Sequence, residues 1–291
     1  MAVFACNVCG KKNSWSGEPF EREKAGCMHC GSTLRTRALL GALSMELFGT
    51  RLALPDFPRV KSLRGIGTSD SNQYAPRLAE VFDYRNTFYD REPRFDLERP
   101  LEEGAAYDFV LSSDVFEHVS PPFGRAFRNV FNLLKPNGVL VFTVPYDVEE
   151  STEHFPDLHE YGLLEVGGRT VLVNRTRAGA IQTAENLTFH MDGAGQALEM
   201  RVFSEQMLRD GLAAAGFSSV KIYGENYRPF GIVPAEMWSL PIAARKGPFA
   251  WSVDAMRDVM EEWRALRAAK KEMERLSHAT WSRIGRKLRL L

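Results

Sequence analysis

The 291-residue chain lacks any uninterrupted apolar run near the ~18 residues of a membrane-spanning helix. Its first residues, MAVFACNVCG, lack a basic stretch followed by an apolar core, so no secretion signal is predicted there and a cytoplasmic protein is expected. An excess of one charge is also lacking: 37 Lys and Arg balance 37 Asp and Glu. The balance is uneven, however. From Arg264 to the end stand nine Lys or Arg and two Glu, a net +7, which leaves −7 over residues 1–263. A main body of that sign has no electrostatic grip on nucleic acid. No G-x-S-x-G elbow surrounds Ser113, which argues against a hydrolase. The stretch GIGTSDS lacks the third glycine of the nicotinamide-binding fingerprint. Internal repeats and low-complexity segments are missing too.

Cysteine is scarce but concentrated. All four fall in the first thirty residues, as Cys6-Asn-Val-Cys9 and Cys27-Met-His-Cys30. The spacing is that of a two-knuckle zinc site, C-x2-C-x15–20-C-x2-C. Two residues between thiolates let each pair chelate one ion from a tight turn, and Gly10 and Gly31 supply backbone freedom after each pair. Disulfides are disfavoured in a reducing compartment. Residues 1–34 therefore read as a zinc-ribbon-like head. Four thiolates would close the shell of the ion, so its role would be structural. His29 is a spare ligand that more naturally faces solvent.

After the head, RTRALLGALSMELFG starts a helix at Arg35. Short apolar strands then alternate with helices: RVKSLRGIG, YAPRLAEVF, YRNTFYD, YDFVLSSD, PFGRAFRNVFNLLK and VLVFTVPY. Such alternation predicts a parallel sheet with helices on both faces, with ligands beyond the carboxyl ends of the strands. Residues 147–200 break the rhythm and read as an insertion of hairpins and loops above the sheet. A helix follows, capped by Ser204 and ended by Gly216, and then a strand, SSVKIYG. The main domain is thus expected over residues 35–245, with 246–291 a C-terminal helix and basic tail. Met256, Val259, Trp263, Leu266 and Met273 follow a period near 3.5, which suits docking or self-association. The end, TWSRIGRKLRLL, could touch an anionic membrane surface, and a solvated tail is the alternative.

Several residues are placed for binding and chemistry. Gly65 and Gly67 follow a strand, where a glycine turn would let a cofactor approach the backbone. Asp90 ends the next strand and can accept from a pair of ribose hydroxyls, and Asp96 on the following loop can accept from an adenine amino group. Either acid can instead be a solvated loop residue or a cap.

At this point YDFVLSSDVFEHVSPPFGRAFRNVFNLLKPNGVLVFTVPY, with the glycine turn before it, resembles the class I S-adenosylmethionine-dependent methyltransferases. The resemblance covers about residues 60–146 and, more loosely, 204–245. It implies a seven-stranded Rossmann-like sheet and methyl transfer from S-adenosylmethionine, with Gly65, Gly67, Asp90, Asp96, Ser112, Ser113 and Asp114 holding the cofactor. Leu63 stands where the family commonly has an acid, and Thr68-Ser69-Asp70 where it often has another glycine, so Asp70 is a candidate substitute. The head, EHFPDLHEYGLLEVGGRTVLVN and NLTFHMDGAGQALEMRVFSEQMLRDGLAAAGF look like a bacterial subgroup associated with surface-polysaccharide and glycan gene clusters. That association implies a sugar, glycan or related small molecule as acceptor.

A hydroxyl acceptor needs its proton removed, and histidine suits that task near neutral pH. His118 and His190 are the candidate bases, each with a structural role as its alternative. His154 and His159 with Glu153 and Asp157 are a weaker metal candidate, because their spacing matches no ligand motif. Two rival functions are a zinc-containing RNA methyltransferase and a non-catalytic scaffold of the same fold.

Overall fold

The computed structural model describes residues 2–100, 102–192, 195–248 and 250–287, with side chains described outside 191–196 and 277–287. The head begins with an antiparallel hairpin, β1 (Ala2–Ala5) and β2 (Lys12–Trp15), with Cys6 and Cys9 in the turn between them. Gly10 and Gly31 each follow a cysteine pair at positive φ, 76° and 69°. Helix α1 (Leu34–Phe48) follows, with Thr33 accepting from the Thr36 amide at its start and Gly49 in the left-handed region at its end. It is buried almost all round, Arg37 and Glu46 included, between the head and the sheet.

The main sheet is built next, from β3 (Val60–Thr68), α2 (Ala75–Val81), β4 (Phe82–Thr87), β5 (Tyr107–Ser113), α3 (Gly124–Leu133) and β6 (Leu134–Thr143). The chain then enters the insertion: β7 (Tyr146–Asp147), β8 (Thr152–Glu153), β9 (Glu160–Val166), β10 (Arg169–Arg175), β11 (Ile181–Ala184), β12 (Phe189–Asp192) and β13 (Gly195–Leu198). It returns through β14 (Arg201–Ser204), α4 (Glu205–Ala215), β15 (Ser219–Ile222) and β16 (Ile242–Arg245), and ends in α5 (Val253–Lys287).

Six strands form the sheet, in the order β15-β16-β6-β5-β3-β4. The four neighbours β6, β5, β3 and β4 are parallel, and β16 alone is reversed, antiparallel to both β6 and β15. Period-two alternation divides the core between the faces. Phe109, Leu111, Val139 and Val141 pack with α1 and α2, whereas Val110, Leu140 and Phe142 pack with α3 and α4. Phe4, Cys6, Val8, Trp15 and Cys27 join the first of these clusters, so the head shares its core with the sheet.

Two expectations change. Among the described residues the sheet has six strands rather than seven. The stretch after β4, REPRFDLERP, is charged and carries Pro93 and Pro100, which cannot donate to a ladder. Gly65 and Gly67 also lie within β3 rather than in a turn after it. A Cβ at Gly65 would strike the Phe109 ring, and one at Gly67 the Tyr84 hydroxyl and the Asp70 carboxylate. Both glycines thus make room for the protein's own side chains.

The insertion is a three-stranded antiparallel sheet, β11-β10-β9, and a β12–β13 hairpin. Strand β14 ties it down through β7 and β8. The first turns of α5 dock on the sheet. Ala255 is fully buried, the Ser62 amide and hydroxyl donate to Asp258 at 2.9 and 2.6 Å, and the Arg59 amide donates to Glu262. Met256, Trp263, Leu266 and Met273 face solvent. Most of the basic end (residues 277–291) lies outside the described side chains.

Candidate functional site

The carboxyl ends of β4, β3 and β5 stand side by side, with Thr87 opposite Thr68 and Thr68 opposite Ser112. Among the described residues three non-glycines have positive φ: Ser69 (54°), Asp114 (52°) and Ser239 (52°). Ser69 and Asp114 directly follow β3 and β5. Backbone held in this region is costly and collects at ligand sites. Ser239 is joined to Asp114 through Arg22, which donates to the Ser239 carbonyl at 3.3 Å and to both Asp114 oxygens at 2.8 and 2.6 Å.

Arg35, at the start of α1, completes this junction. Its guanidinium donates to the Ser113 hydroxyl and lies 3.2 Å from Asp114, while Glu23 holds its other edge. Burial opposes ionisation of Asp114, but Arg35, Arg22 and the Thr143 hydroxyl outweigh it and hold the carboxyl down to about 2. The head therefore delivers one of two guanidiniums to the mouth of β5, and α1 the other. Sequence reading missed both, because an arginine among charged residues reads as solvated.

The other predicted cofactor residues divide. Ser112 is buried and accepts from the Thr68 hydroxyl at 2.8 Å, inside the sheet. Asp90 is exposed on the loop after β4. Asp96 accepts from the Glu98 amide at 2.9 Å, with Arg99 at 3.5 Å. Asp70 is buried, and both its oxygens accept phenolic protons, from Tyr74 at 2.8 Å and from Tyr84. Burial outweighs these bonds and raises its pKa to about 7. Its oxygens are thus engaged within the protein. Two guanidiniums thus stand at the end of β5 and two acids beyond β4.

Beside Asp114, the short turn Phe116–His118 meets the insertion. His118 Nδ1 lies 2.8 Å from the Leu198 carbonyl. His190, on β12, places Nε2 3.0 Å from Glu199, whose other oxygen lies 3.0 Å from His154. The two imidazoles stack edge to face, with centroids 5.2 Å apart. Between them sits the Glu117 carboxylate, fully buried, with neither oxygen hydrogen-bonded. Burial and the charge on Asp114 push its pKa well above the usual carboxylate range. Burial lowers that of His118, aided by repulsion from His190. Arg201, fully buried, braces the turn by donating to the Val119 carbonyl at 2.6 Å and pairing with Glu153 at 2.6 Å. Glu153 and His154 are thus committed elsewhere, and they form no metal cluster with His159 and Asp157 among the described residues.

A family model described as a methyltransferase domain matches residues 65–222, more than half of the chain. The chain belongs to the methyltransferase-domain family. With its Rossmann-like sheet it is a class I S-adenosylmethionine-dependent methyltransferase. No curated protein matches the sequence. Solved structures resemble this methyltransferase at low identity. One is the Burkholderia thailandensis 1,6-didemethyltoxoflavin-N1-methyltransferase with bound 1,6-didemethyltoxoflavin and S-adenosylhomocysteine, at 16% identity over 74% of this chain and 78% of that one, TM-score 0.41. Another is CalS10, an amino pentose methyltransferase from Micromonospora echinaspora, at 17% identity over 74% and 92%, TM-score 0.40. A third is the sugar N-methyltransferase KedS8 from Streptoalloteichus, at 17% identity over 63% and 80%, TM-score 0.37.

Four sulfurs lie together in the head. Cys6 and Cys30 are 3.7 Å apart, as are Cys9 and Cys27, and all four Sγ atoms fall within 4.8 Å of one another. A tetrahedron with ~2.3 Å zinc–sulfur bonds has edges of about 3.8 Å. Arg37 is buried close by, stacked on Phe4 and Phe20, and donates to the Ser32 and Gly231 carbonyls. A buried cation calls for nearby negative charge, which a tetrathiolate centre would supply.

Proposed function

We propose that this methyltransferase moves the methyl group of S-adenosylmethionine to a hydroxyl of a sugar, glycan or related small molecule. The observation that carries the reading is the Glu117, His118 and His190 cluster beside Asp114, roofed by the insertion. Methyl transfer to oxygen needs a positioned donor and a group that deals with the acceptor proton. The cluster supplies the second beside the end of β5, the strand that places Ser113 and Asp114. Arg35 and Arg22 suit the carboxylate of the donor's methionine end, with Ser113 and Asp114 close to it. Asp90 and Asp96 are assigned the ribose and adenine end. When bound, S-adenosylmethionine supplies an activated methyl group. The chain orients it, shields it and manages one proton. The head is assigned one structural zinc on Cys6, Cys9, Cys27 and Cys30.

Tritiated S-adenosylmethionine and a panel of sugars and glycans test the acceptor class. Label transferred to a hydroxyl of one panel member, with His190→Ala lowering the rate ~10²–10⁴-fold, is the expected result. Transfer to RNA instead, or donor binding without turnover on any acceptor, contradicts it.

A further inference from the structure

The two histidine tautomers are set by their outer partners. A carbonyl only accepts, so His118 Nδ1 donates to Leu198 and its Nε2 carries a lone pair. Glu199 takes the proton of His190 Nε2, which leaves the lone pair on Nδ1. These lone pairs face the same carboxylate oxygen: Glu117 Oε1 lies 3.8 Å from His118 Nε2 and 3.9 Å from His190 Nδ1. Both gaps are too long for hydrogen bonds. Three potential ligand atoms therefore converge with no hydrogen bond among them, and the Glu117 carboxyl is fully buried without a partner. Native proteins rarely leave such a group unsatisfied.

A shared cation resolves this. Bonds of ~2.1 Å at angles from 90° to 180° put two ligand atoms about 3.0 to 4.2 Å apart. The 3.8 and 3.9 Å separations fall inside that range. The His190–Glu199 and His118–carbonyl contacts are the outer partners that metal-binding histidines carry. Two imidazoles and one carboxylate suit a divalent first-row transition ion and leave positions open, as catalytic rather than structural sites do.

We propose that Glu117, His118 and His190 bind a divalent transition-metal ion, separate from the cysteine centre, whose open positions take the acceptor hydroxyl. The second half rests on the acceptor reading above; the first does not. An ion there makes a bound hydroxyl more acidic, its proton leaving to solvent. The oxygen then takes the methyl carbon as the donor's C–S bond breaks, giving an ether and a neutral thioether.

The test is the metal content of the full chain after loading with zinc and removal of excess, with neither donor nor acceptor present. Wild-type protein should hold one equivalent more than His190→Ala and one more than Glu117→Gln. Glu199→Gln should weaken the extra site 10–100-fold without altering the cysteine centre. Two variants are used because Glu117 is buried and His190 is half exposed, so if either fails to fold the other decides. Equal metal content in wild type and a folded His190→Ala or Glu117→Gln protein would overturn the proposal. Because the count needs no methyl transfer, a wrong acceptor assignment leaves it standing.

Discussion

Asp114 shows how much one residue can concentrate. It leaves β5 in a left-handed conformation, accepts from Arg22 and Thr143, and adds its charge to the field at Glu117. Its pKa is depressed from an ordinary 3.8 to about 2, so its stabilising contribution is full above the ordinary value and lost as pH falls toward 2. Asp70 has the opposite sign. Raised from 3.8 to about 7, it takes up a proton on folding between those values and costs stability as pH rises through them. Asp70→Asn removes that cost. In thermal melts its stability relative to wild type should rise steadily from pH 4 to pH 7 and then level off. Gly67→Ala is the steric counterpart: its methyl strikes Tyr84 and Asp70, and denaturant unfolding should show a loss of ~1–3 kcal/mol.

Among the elements, the strand–helix alternation of residues 60–146 was legible because a buried parallel sheet imposes apolar runs and turn residues on its own sequence. Ser204 and Gly216 were legible as caps for the same local reason, and both cap α4. The insertion was legible as hairpins and loops but not strand by strand, since β9 is exposed along its length and carries no burial pattern. The surroundings of Glu117 were hidden because they arrive from far along the chain: the Leu198 carbonyl that orients its neighbour His118 is 80 residues away. Sequence named His118 and His190 as candidate bases but held no sign that they face each other across a carboxylate. Arg201 at the start of β14 binds turn and insertion together. Arg201→Ala strands Glu153 and two carbonyls, and should destabilise by roughly 3–5 kcal/mol in equilibrium unfolding. It should also lower turnover on any acceptor, since it releases the turn that carries Glu117.

Across the whole molecule, the cysteine head and the sheet work as one body. The cysteine cluster sits in the same core as α1, the loop between its two pairs supplies Arg22, and α1 supplies Arg35 to the strand ends. Damage to the cysteine cluster should therefore reach the proposed donor site. Cys30→Ser is expected to lower the melting temperature, by roughly 2–4 °C for each kcal/mol lost, and to weaken donor binding in the same preparation. A head that served only to grip RNA would leave donor affinity unchanged.

The ends of β3, β4 and β5, with the two arginines, are proposed to form the donor site. Calorimetric titration of the full chain with S-adenosylmethionine addresses it directly. Saturable 1:1 binding that Arg35→Ala weakens at least tenfold while the protein stays folded is the expected result. Absence of binding at millimolar S-adenosylmethionine, or equal affinity in the Arg35→Ala protein, would contradict it.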